Sequence, residues 1–163
     1  MKKKIAVILS LCVCTILFVG CNTNSNNNAD QIVKAYSFNG ENEHISISNG
    51  VIISNGEEDV CYGGDLKLKS KEFNHIASYL ITFYINGSEK EKLLSNSVNN
   101  KTGESVDISK KIGQISGDIL KESDAEKIGN NLWFELKTTD LKGKNKTYKI
   151  KLDVTEITKV DEN

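Results

Sequence analysis

The side chains with the clearest capacity for chemistry are acidic. Glu57, Glu58, Asp59 and Asp65 lie close around the Gly63–Gly64 pair, and carboxylates flanking such a turn can supply the oxygen ligands that Ca²⁺ takes. Their spacing departs from the fixed ligand positions of known calcium loops, and a simply solvated acidic turn has the same composition. Glu57, Asp59 and Asp65 are therefore the candidate metal ligands, set against an expectation of no bound metal. His44 beside Glu41 and Glu43 is a second donor group, or else a solvated strand end. With His44 and His75 the only two histidines, a three-histidine zinc site is excluded. The chain carries no Gly-x-Ser-x-Gly, Ser-x-x-Lys, His-Glu-x-x-His, phosphate loop or Gly-x-Gly-x-x-Gly. Carboxylate pairs can be drawn on any chain with 22 acids, so spacing alone assigns no glycoside hydrolysis. The expectation is a protein that is not an enzyme.

The aromatic residues point to binding instead. Trp133, the single tryptophan, alternates with Leu132, Phe134 and Leu136 and shares its face with Glu135 and Lys137. If the three apolar residues face a core, Trp133 faces solvent or a partner, where aromatic side chains concentrate binding energy. The simpler placement is a covered strand, with Trp133 packed under a loop such as residues 110–130. Tyr84, on the back of its own apolar run, carries the same two readings. Trp133 and Tyr84 are the candidate partner contacts.

At the other end of the chain, Lys2, Lys3 and Lys4 precede an apolar run, Ile5 to Val19, broken by Ser10 and Thr15. That run is short for a membrane span, which needs about 20 residues, and its form is that of an export leader. It ends in Leu17-Phe18-Val19-Gly20-Cys21, followed by an asparagine-rich string. Phe18-Val19-Gly20-Cys21 resembles the bacterial lipobox, with Phe18 standing where leucine is usual. The resemblance implies a diacylglyceryl group on the Cys21 sulfur and cleavage before Cys21; beyond that lipid no cofactor is expected.

Cysteine use agrees with export. Cys12 and Cys14 leave with the leader, Cys21 becomes a thioether, and Cys61 remains as the one thiol, so there is no internal disulfide framework. Cys61, in Val60-Cys61-Tyr62, reads as a small buried hydrophobe, without a basic neighbour to lower its pKa. Removing the three leader lysines from a formal −1 leaves a mature chain at −4. Such a balance argues against nucleic acid, which requires a basic face, and against a polybasic grip on anionic lipid. The chain has no Arg, so bidentate clamping of carboxylate or phosphate is unavailable.

Three segments result: a leader and signal helix over 1–20, a lipidated Cys21 with a flexible tether over 21–31, and a folded domain over 32–160. Within the domain, turn signals punctuate alternating runs. Asn49-Gly50, Asn55-Gly56 and Asn86-Gly87 each read as hairpin turns, because both residues of a type I′ turn need positive φ. Tyr79, Ile81, Phe83 and Ile85 share one face of a central strand, with Leu80 and Tyr84 on the other. Leu66 and Leu68 alternate with lysines. A closing hairpin turns over Asp140 to Lys146, its second strand running from Tyr148 to Val154. Ser123 to Glu126 has capping-box spacing and starts the one helical turn, ending at Gly129. About seven short strands at regular spacing predict an all-β antiparallel sandwich.

Phe38-Asn39-Gly40-Glu41-Asn42-Glu43, Tyr62-Gly63-Gly64-Asp65 and the closing strand pair across Gly143-Lys144 resemble a group of uncharacterised lipoproteins from low-GC Gram-positive bacteria. The likeness spans most of residues 36–154. Members tend to carry Trp where this chain has Ile45. It implies an immunoglobulin-like β-sandwich at the cell surface and supplies no activity. The expected function is that of a lipoprotein anchored on the extracytoplasmic face of the cell membrane. Its partner would be a protein, a peptide or an envelope glycan, and not nucleic acid. The alternatives are a cation-dependent or hydrolytic module acting on wall polymers, and a lipoprotein conferring immunity to a bacteriocin.

Overall fold

Strands form where branched and aromatic residues alternate with polar ones, because the pleat sends successive side chains to opposite faces. A computed structural model describes residues 33–158 apart from 56, 88–89, 101, 103 and 121–126. The lipobox, the tether and the Ser123–Glu126 turn lie outside the described residues. Among those described, ten strands are present: β1 (Lys34–Glu41), β2 (Ile45–Ser54), β3 (Asp59–Tyr62), β4 (Asp65–Leu68), β5 (Ile76–Asn86), β6 (Lys90–Asn99), β7 (Gln114–Gly117), β8 (Leu132–Asp140), β9 (Asn145–Lys151) and β10 (Asp153–Glu156). A 3₁₀ turn spans Lys71–His75, capped by Ser70 Oγ accepting from the Glu72 amide, and a short helix α1 spans Ile128–Asn131.

One sheet has the order β10-β1-β2-β3-β7, with β4 also on β2; the other has the order β6-β5-β8-β9. Every pairing is antiparallel. The inner faces meet in one core. Phe38 from β1 packs on Phe83 from β5 with ring centroids 5.5 Å apart, and Phe83 packs edge-on against Phe134 of β8 at 5.1 Å. Two antiparallel sheets packed on one core make the expected all-β sandwich.

Three expectations need correction. Asn49-Gly50 is no hairpin turn, since β2 runs through it without a break. Asn49 does take a positive φ of 58°, but the extra residue is absorbed as a bulge: Phe38 faces Gly50, and Gly40 faces Ile47. The strand stays whole because β4 pairs with Ile45–Ser48 while β3 pairs with Val51–Ser54, one on each side of the bulge. Second, the strand expected from Tyr148 to Val154 is two strands. β9 ends at Lys151 and β10 joins β1 in the other sheet, with the buried Leu152 at the crossover. Third, α1 runs through Gly129 instead of ending there, and the 3₁₀ turn was not foreseen.

The remaining turns lie where expected but are not of the expected type, since neither Asn55 nor Asn86 takes the positive φ of a type I′ turn. Asn55 opens the β2–β3 connection, its Oδ1 accepting from the amides of Glu57 and Glu58. β5 and β6 form a hairpin beyond Asn86. Asp140 holds the β8–β9 turn by accepting from the amides of Lys142 and Lys144. Cys61 is 1% exposed, and burial pushes its thiol up to about 12.

Candidate binding face

The four-stranded sheet turns one face to the core and one outward. Register and alternation place the outward side chains in four rows across β6, β5, β8 and β9. The first row is Lys92, Tyr84, Trp133, Lys151, and the second is Ser95, Thr82, Glu135, Lys149. The third is Ser97, Leu80, Lys137, Thr147, and the fourth is Asn99, Ser78, Thr139, Asn145. Strand spacing and rise make this a surface of roughly 14 by 20 Å. Lys90 stands beyond the first row, opposite Asn86.

The first two rows are cationic and aromatic. Lys90 Nζ lies 4.5 Å from the centre of the Tyr84 ring, a cation–π distance. Tyr84 is 4% exposed, and burial, its largest influence, raises the phenol pKa. Trp133 beside it is half-buried. Of the loop expected to cover Trp133, Lys111 bridges to Asp65 and β7 pairs with β3 in the other sheet, while residues 121–126 lie outside the described residues.

Glu135 organises the lysines. Its carboxylate lies 3.1 Å from Lys137 Nζ, 3.3 Å from Lys149 Nζ and 3.9 Å from Lys90 Nζ. Although Glu135 is on the outward face it is only 6% exposed. Burial pushes its carboxyl up, but the hydrogen bonds from Lys137 and Lys149 and the charge of Lys90 outweigh that and hold it below the usual glutamate range. Lys90, Lys92, Lys137, Lys149 and Lys151 are all exposed, so five lysines against one glutamate leave this face at +4. Among the described residues, Lys92 and Lys151 have no ion-pair partner.

Rows three and four have a different chemistry. Their eight side chains border a shallow hollow of about 510 Å³. Seven of the eight carry a hydroxyl, an amide or an ammonium, with Leu80 the apolar exception. Small side chains leave the hollow open between the taller lysines and aromatics of the other rows.

The acidic candidates do not come together. Asp59 is 5% exposed, and its Oδ2 accepts from the amides of Ile119 and Leu120 at 3.1 and 2.7 Å, pinning the chain after β7. Asp65 Oδ2 accepts from Asn49 Nδ2 at 2.8 Å, beside the β2 bulge. Asp59 pairs with Ser54 and Asp65 with Ser48. Six residues along one strand put them about 20 Å apart. Glu57 is exposed on the β2–β3 connection. The Gly63–Gly64 turn is itself joined to the chain at Ile112 and Gly113 by backbone hydrogen bonds.

His44 keeps one of its two expected neighbours, Glu43, and gains Glu72 in place of Glu41. Glu41 pairs with Lys69 at 2.7 Å, while His44 lies between Glu43 (3.2 Å to Nε2) and Glu72 (3.0 Å to Nδ1). The Glu72 contact is an ion-pair distance without hydrogen-bond alignment, since that carboxylate oxygen accepts no hydrogen bond. Glu72 also pairs with Lys146, whose hydrogen bond lowers the carboxyl pKa against the opposing effect of burial. The histidine ring stands edge-on to Tyr148 at 5.2 Å.

Trp133 and Tyr84 are therefore neighbours, as β5 and β8 partners. The lysines, Glu135 and the hydroxyl rows around them went unrecognised as a site. Alternation had placed Trp133, Glu135 and Lys137 on one face and Lys149 and Lys151 on another, but the β6-β5-β8-β9 order that merges them is not written in either stretch. No family model, curated protein or solved structure matches the chain.

Proposed function

We propose that this chain is a non-catalytic surface lipoprotein, held on the extracytoplasmic face of the cell membrane by a diacylglyceryl group at Cys21. Its immunoglobulin-like β-sandwich binds a protein, peptide or envelope glycan through the outer face of the four-stranded sheet. The observation that supports this is the half-buried Trp133 set against Tyr84 between two unpaired lysines, beside a hollow lined with hydroxyls and amides. Binding surfaces combine aromatic anchors with a few convergent polar groups in this way. The two acyl chains of the lipid supply stable anchoring, because one chain alone binds a membrane only marginally.

The experiment is a titration of the full chain with separated protein, peptide and glycan fractions of a cell envelope, following the emission of its single tryptophan. One fraction is expected to shift and quench Trp133 emission. Unchanged emission with every fraction overturns the assignment of this face.

A further inference from the structure

The outer face joins two chemistries that are usually separate: ammonium groups around an aromatic pair, and a hollow lined mainly by hydroxyls and amides, with Lys137 and Lys146 also among its lining residues. A partner complementary to both must carry negative charge and many hydroxyls. The cations are all lysines. An ammonium is a point charge that donates in any of several directions, whereas a planar carboxylate is best met by the arginine fork. The chain has no arginine, so neither anion can be clamped bidentately, and the face meets its partner through point charges, the way lysine meets a tetrahedral phosphate. The charges are also arranged to be available. Glu135 occupies Lys137 and Lys149 in part, while Lys92 and Lys151 stand unpaired at the two ends of the row containing Tyr84 and Trp133. These two cations are three strands apart, about 14 Å, which is the span of a polymer segment and not of a single small anion.

We propose that this face binds an anionic polymer in which phosphodiesters alternate with polyhydroxy units. Its phosphates lie on Lys92, Lys149 and Lys151, its polyol units stack on Trp133, and its hydroxyls enter the hollow beside Ser97 and Asn145. The formal negative charge of the whole chain does not oppose this, because the screening length of about 8 Å at physiological salt lets a local +4 face act alone. The proposal rests on the reading of this face as the binding surface.

The test uses the full chain in an uncharged detergent, titrated with poly(glycerol phosphate) of defined length and followed by Trp133 emission. Binding should weaken about tenfold between roughly 50 and 200 mM salt, as expected when a few phosphates shed counterions. The double variant Lys92→Gln, Lys151→Gln should bind at least about tenfold more weakly with an unchanged melting temperature, since both side chains are exposed and unpaired. Three other probes discriminate. Equal binding of uncharged dextran overturns the phosphate requirement while leaving the face itself as a glycan site. Equal binding of polyglutamate overturns the preference for phosphate over carboxylate. Equal binding of anionic phospholipid vesicles makes the partner a lipid surface and ends the polymer proposal. If no probe alters Trp133 emission, both the polymer and the choice of face fail together.

Discussion

Glu135 stands on the solvent side of β8 and is nevertheless among the most buried charges described, with the ammonium groups of Lys137, Lys149 and Lys90 gathered on its carboxylate. A buried carboxylate persists only where partners compensate its lost hydration, and Lys137, Lys149 and Lys90 do so. Glu135→Gln should lower stability by about 1 kcal/mol, a few degrees in melting temperature, since the freed lysines regain water. The same substitution should strengthen polyanion binding by removing the only negative charge among the described residues of the face. The pH dependence has a defined sign. The native carboxyl lies below its ordinary value of 4.5, so its contribution is complete above that value and is lost as the pH falls through the lower native one. Thermal melts should show the gap between wild type and Glu135→Gln open at neutral pH and closed in strong acid. A gap that widens in acid contradicts the assignment. Nothing in the heptapeptide around Glu135 announces this role, because the lysines on β6 and β9 arrive from elsewhere in the chain.

At the level of elements, β2 is the organising strand of the larger sheet, since β1, β3 and β4 all pair with it. The bulge at Asn49–Gly50 lets one strand serve both β3 and β4. Gly50 is required there: a Cβ would fall 2.0 Å from the Phe38 ring, and Phe38 is 1% exposed at the centre of the core. Gly50→Ala should cost about 1–3 kcal/mol by overpacking. Gly129→Ala should act in the opposite direction, because a Cβ at that helical position meets nothing within 4 Å, and alanine favours the helix by about 1 kcal/mol. Denaturant titrations of the two variants should move the midpoint in opposite directions; a shared direction contradicts the packing described. Asn-Gly was legible as a site of positive φ, but positive φ serves a bulge as well as a turn. The choice between them was made by β3 and β4, which lie later in the chain.

For the whole molecule, the two outward faces differ in kind. On the six-stranded sheet the rows Ala35, Ile53, Val60, Ser116 and Ser37, Val51, Tyr62, Gln114 carry no charge, and Glu41, Lys67 and Asp153 beyond them carry both signs, whereas the four-stranded sheet carries +4. Attachment belongs to this scale as well. Cys21→Ala should move the protein from the membrane fraction to the soluble fraction and leave an uncleaved, slower-migrating precursor. Fractionation and mobility identical to wild type contradict the anchor.

Local chemistry was readable without coordinates. Alternation marked the strands, Asn55 and Asn86 marked turns, and Val60-Cys61-Tyr62 marked a buried thiol. Each of these depends on neighbours within a few residues, so a short stretch contains the whole cause. The binding face depends on which strands lie side by side. Lys92, Tyr84, Trp133 and Lys151 form one row only because β6 folds back on β5, β8 crosses to its other edge, and β9 turns back on β8. The same packing separates Asp59 from Asp65, which are close in sequence, by pairing Asp59 with Ser54 at the end of β2 and Asp65 with Ser48 beside its bulge. Hydrophobic burial of the inner residues sets that strand order, and the outward residues take the neighbours it brings them.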